Sequence, residues 1–106
     1  MAIPGIGAKH AFYNDLPDEE AQALYEKLNH HALSAFETPV DYVASDLTVP
    51  STYLICENDA VLPVQFQDML VSNIPGMKSE RCTAGHSPFL SQPDRTVEVI
   101  VKVADA

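Results

Sequence analysis

The chain has 106 residues, 46% of them hydrophobic and 20% charged, the balance of a soluble globular unit of one domain at most with a thin core. Six lysines and arginines stand against fifteen aspartates and glutamates, and the resulting net charge of −9 argues against nucleic acid as a partner, because binding phosphates needs clustered basic side chains. No stretch is long enough to span a bilayer, and the start MAIPGIGAKHAF lacks the basic region, apolar core and cleavage site of a secretory signal, so a cytoplasmic chain with no membrane partner is expected.

Residues 15–36, DLPDEEAQALYEKLNHHALSAF, place Leu24, Leu28, Ala32 and Phe36 four apart and put Asp18, Glu19 and Glu20 in a first turn where the helix dipole favours acids. This spacing predicts an amphipathic helix. The stretch that follows, ETPVDYVASDLTVPS, has two prolines and no clear period, so it reads as a connection with a short helical turn, ended by Pro50. Beyond it the pattern changes. STYLIC (51–56) is a short apolar run of strand formers, and ENDAVLP is a polar turn leading into a helix at 64–73 that carries Phe66, Met69 and Leu70 on one face behind Pro63. Pro75 and Gly76 break that helix. A more polar strand, KSERCTA (78–84), ends at Gly85 and His86, and Ser91 is the expected cap of a last helix, with Asp94 three residues on and Val97, Ile100, Val101 and Ala104 as its buried stripe.

A strand, a crossover helix and a second strand make a right-handed βαβ unit, so the two strands are expected to be parallel and adjacent with both carboxyl ends on one edge. Asp59 lies just past the first strand and His86 just past the second, at the edge where open α/β sheets bind ligands. A carboxylate bonded to one imidazole nitrogen fixes the tautomer and stabilises the imidazolium, leaving the other nitrogen free as a general base. On spacing alone this pairing competes with two plainer readings, a turn-forming Asp and a surface His.

Other residues carry less. Glu57 belongs to the strand end, so the turn position favours Asp59 as the acid. His30 and His31 with Glu26 lie within helical reach of each other, but adjacent histidines point about 100° apart on a helix, and no metal site is expected. Cys56 and Cys82 are too few for a zinc knuckle and read as reduced, buried thiols. Met69, Met77, Phe66 and Phe89 read as core or pocket wall, and Ser87, next to His86 in a turn, is not expected to be its nucleophile.

The stretches PSTYLICENDAVLPVQFQDML and ERCTAGHSPFLSQP resemble the C-terminal part of an α/β-hydrolase, in the esterase-like branch that is similar to plant methyl esterases and hydroxynitrile lyases and has many fungal members. The resemblance runs from about Phe12 onward. It implies an α/β fold with two parallel strands in a βαβ unit flanked by helices, residues 50–106, preceded by an N-terminal tail and a cap-derived helical segment, residues 1–49. In that family the triad acid follows the penultimate strand in an Asp-x-x-x-Pro context, matched by Asp59 and Pro63, and the histidine lies in Gly-His-Ser-Pro, matched by Gly85, His86, Ser87 and Pro88. Phe89, Leu62 and Ser87 become candidates for the substrate pocket, a small ester or organic acid the candidate substrate, and no cofactor is implied.

One part of the family pattern is missing. The nucleophile elbow G-x-S-x-G does not occur in the chain, since GIGAKH offers Gly5 and Gly7 around Ile6 but no serine. Three readings follow: a partial Ser-His-Asp hydrolase of carboxylic esters completed by another chain, a stand-alone oligomeric His-Asp acid/base enzyme of lyase or decarboxylase type, or a noncatalytic binding module. An exposed edge on a two-stranded sheet invites either a second copy or a complementing chain.

Overall fold

The computed structural model describes residues 7–29 and 34–106. In chain order the elements are α1 (Ala8–Tyr13), α2 (Asp18–Tyr25), α3 (Ser34–Glu37), a 3₁₀ turn (Ala44–Asp46), β1 (Thr52–Cys56), α4 (Val64–Asn73), β2 (Lys78–Cys82), α5 (Pro88–Ser91) and α6 (Pro93–Ala104). The strands β1 and β2 pair in parallel, with Thr52 beside Lys78 and Cys56 beside Cys82, and α4 makes the crossover. Pairing continues past both strand ends: Glu57 N–H donates to Cys82 O at 3.0 Å and Asn58 N–H to Ala84 O at 3.1 Å. The two loops that follow are therefore held side by side. After α4 the chain reverses through Ile74-Pro75-Gly76-Met77, where Met77 N–H donates to Ile74 O and Gly76 takes φ +77°, a turn that needs proline and then glycine.

The core is thin, as the length implies: Ile55, Cys56, Cys82, Ala84 and Val99 are buried around the sheet, and Ala21 is buried on α2. Cys56 and Cys82 are both free thiols, with their sulfurs 3.8 Å apart.

Several expectations need correcting. Of the helix foreseen at 15–36, the described residues form α2, eight residues long, and, from Ser34, the start of α3. Pro17 disfavours helical backbone at Leu16, and after Tyr25 the chain tightens into i→i−3 bonds, Lys27 N–H to Leu24 O and Leu28 N–H to Tyr25 O. Phe36 is 69% exposed rather than the end of a buried stripe, while Ala32, His30 and His31 lie outside the described residues. Helix α4 has the foreseen bounds but another inner face. Phe66, Met69 and Leu70 are exposed, and the buried residue is Gln67, 1% exposed. Its amide satisfies the end of β1, with Oε1 accepting Cys56 N–H at 2.8 Å and Nε2 donating to Cys56 O and Leu62 O, each at 2.8 Å. A strand end with unpaired backbone groups outweighs an apolar stripe, because a buried unmade hydrogen bond costs about 1–3 kcal/mol per group.

Helix α6 is rotated likewise. Gln92 precedes it, Pro93 opens it, and Ser91 belongs to α5, so neither Ser91 nor Asp94 caps it. Val99 faces inward, whereas Val97, Ile100, Val101 and Ala104 are exposed. Polar contacts to β2 explain that rotation: the Arg95 guanidinium donates to Arg81 O at 2.9 Å, and Arg95 and Lys102 both pair with Glu80.

Candidate functional site

Asp59 sits in the turn after β1, where its Oδ1 accepts the N–H groups of Val61 at 2.8 Å and Leu62 at 3.2 Å. This local turn is what Asp does well, its short carboxylate folding back on the next backbone amides. It leaves Oδ2 free to face the second loop, where it meets His86 Nδ1 at 3.0 Å. The Asp59 side chain is 8% exposed and that of His86 40%, so the acid is enclosed and the imidazole reachable. Burial pushes the Asp59 carboxyl up, but the bonds from His86, Val61 and Leu62 together outweigh it and hold the group below its ordinary value. An ionised carboxylate only accepts, so the neutral imidazole carries its proton on Nδ1 and keeps a lone pair on Nε2.

Glu57 does not compete for His86, because Arg81 binds it at 3.1 Å and also holds Asp68 at 2.9 Å. Among the described residues no hydroxyl or thiol bonds to the imidazole. Ser87 is buried and donates from Oγ to Phe12 O at 2.8 Å, which spends its hydroxyl on the backbone. Burial, with the adjacent Cys82 second, pushes the Cys56 thiol up to about 12, so it is no thiolate nucleophile. Leu62 is half-buried beside Asp59, and Phe89 is 62% exposed. No group of metal-binding side chains occurs among the described residues.

Residues that the motif reading did not single out surround the pair. Asn14 Nδ2 donates to Asn58 O at 2.7 Å, Asp15 Oδ2 accepts Gly85 N–H at 2.7 Å, and the Phe12 ring lies 5.5 Å from the imidazole at a tilt of 33°. The one sequence signal for them is Pro17, which could have taken Asp15 and Leu16 out of the helix and freed them for other contacts. A groove of about 410 Å³ opens elsewhere, between β1 and α6, lined by Thr52, Leu54, Val99, Ile100 and Val103.

No family model matches the chain. It is 33% identical over 97 residues to the alpha/beta hydrolase nvfD of Aspergillus novofumigatus, an alignment covering 91% of this chain and 38% of that protein. It is 27% identical over 99 residues to a pyrethroid hydrolase of Sphingobium wenxiniae, covering 92% and 35%, and 28% identical over 109 residues to a probable hydrolase of a Phoma species, covering 98% and 44%. The chain thus spans between about a third and a half of the length of the curated relatives it matches. A parallel βαβ unit flanked by helices, together with these matches, relates the chain to the α/β hydrolases and makes its fold a partial α/β-hydrolase fold. No helix among the described residues is long and apolar enough to cross a membrane.

Proposed function

We propose that the chain contributes the acid and the histidine of a serine-type hydrolase acting on carboxylic esters, with the nucleophilic serine supplied by another polypeptide. The observation that carries this reading is the 3.0 Å contact between His86 Nδ1 and Asp59 Oδ2 at the carboxyl edge of the sheet. His86 Nε2 takes the proton of the serine hydroxyl as its oxygen attacks the ester carbonyl. Asp59 stabilises the imidazolium so formed, and the same proton then passes to the departing alkoxide. That half releases the alcohol; water then repeats the sequence on the acyl-serine, giving the acid and restoring the serine hydroxyl and the neutral imidazole.

The relatives' names as hydrolases support the reaction class. Support for a completing polypeptide comes from the surface, where Phe66, Met69 and Leu70 on α4 and Val97, Ile100 and Val101 on α6 are all 43% exposed or more. Exposed apolar faces of this kind mark sites that another surface covers.

The test is turnover of an activated ester such as p-nitrophenyl acetate by the purified chain, beside His86→Ala and Asp59→Ala, with a serine-directed phosphonate in a parallel sample. The expected result is slow turnover that disappears with His86, drops roughly tenfold or more with Asp59, and leaves no phosphonate label on this chain. Turnover above the buffer rate that is equal in wild type and His86→Ala would overturn the reading.

A further inference from the structure

We infer that Asn14 and Asp15 are positioning residues that hold Asp59 and His86 against each other from outside the sheet, an inference that rests on the reading of those two residues as orienting acid and base. Each grips backbone one residue away from a member of the pair: Asn14 the carbonyl of Asn58, Asp15 the N–H of Gly85. Because residues 14 and 15 are neighbours, two loops that leave different strands are tied to one dipeptide. The far side of His86 is held as well, where Ser87 Oγ bonds to Phe12 O from the same segment.

Two further features separate this arrangement from ordinary packing. Gly85 leaves space for it, since a Cβ there would run into Asn14 Oδ1 and stand 3.0 Å from Asp15 Oδ1. Those two oxygens are also buried with no donor among the described residues. Leaving two acceptors unsatisfied costs stability, and a clamp selected only for stability would not be built that way. What the cost secures is placement: Asp15 accepts a charge-assisted bond, the stronger kind, directly beside the histidine.

The experiment is a long-range ¹H–¹⁵N spectrum of the full chain labelled in histidine, recorded where the imidazole is neutral, with His86→Ala assigning the signal. Wild type should show the Nδ1–H form. Asp15→Ala and Asn14→Ala should lose it to a mixture of tautomers, Gly85 amide exchange should quicken roughly tenfold in Asp15→Ala, and Asp15→Asn, which keeps an acceptor, should restore the wild-type form. Should Asp15→Ala not fold, Asn14→Ala decides on the same readout. If wild type lacks the Nδ1–H form, the pairing itself is refuted. If wild type shows it and both alanine variants retain it, only the positioning role falls.

Discussion

At the carboxyl edge of the sheet the groups around Asp59 and His86 are bonded one to another, whereas the outer faces of α4 and α6 leave Phe66, Met69, Ile100 and Val101 in water. The edge is held by directional bonds between segments distant in sequence: residues 12–15, 58–59 and 85–87. The outer faces carry hydrophobic side chains that no other described residue covers. A site assembled from polar bonds keeps its geometry without help, while an apolar face gains its stabilising energy only when covered, at about 25 cal/mol per Å² of surface removed from water. The difference is the one the proposed reading expects, an acid and base held in place and apolar faces left for a completing polypeptide to cover.

The contrast predicts where substitutions hurt. Gln67→Met has the largest expected effect, because it strips partners from Cys56 N–H, Cys56 O and Leu62 O at once and loosens the start of the Asp59 loop. Denaturant unfolding should show a loss of about 3 kcal/mol. On α6 the two faces should separate cleanly: Val99→Ala, at a site 6% exposed, should cost about 1–2 kcal/mol, and Ile100→Ala, at one 61% exposed, less than about 0.5 kcal/mol. Equal costs would mean that the outer face is already covered in the chain alone.

The smallest effect is on titration. Asp59 is held below its ordinary value in the folded chain, so the stability it contributes is fully present above the unfolded carboxylate value and is lost as pH falls through the folded one. His86→Ala removes the largest of the bonds that lower it. The Asp59 carboxyl, followed by ¹³C NMR, should then titrate at higher pH, and the acid limb of the stability profile should move up with it.

Much of the edge was legible in the sequence. The first strand, the parallel crossover and the bounds of α4 follow from the apolar run STYLIC, proline placement and the turn residues around Gly76, and the more polar second strand from its place between two turns. Asp59 and His86 follow from standing one turn beyond each strand. The rotation of the helices was not legible, because apolar spacing names the face that is greasy, not the face that is inward. On α4 the inward face is chosen by the amide needs of Cys56, which Gln67 meets; on α6 it is chosen by Arg95 and Lys102 reaching Glu80 and the β2 backbone. Asn14 and Asp15 were hidden for a related reason: their partners are backbone groups more than 40 residues away, and Pro17, which takes them out of a helix, does not mark which groups they meet.

The central claim is that Asp59 orients His86 as a base. It is tested most directly by the neutral-imidazole ¹⁵N signature of His86 in wild type and in Asp59→Ala. The account predicts the Nδ1–H form in wild type and its loss in the variant with the amide spectrum otherwise preserved. The same tautomer in both proteins would contradict it.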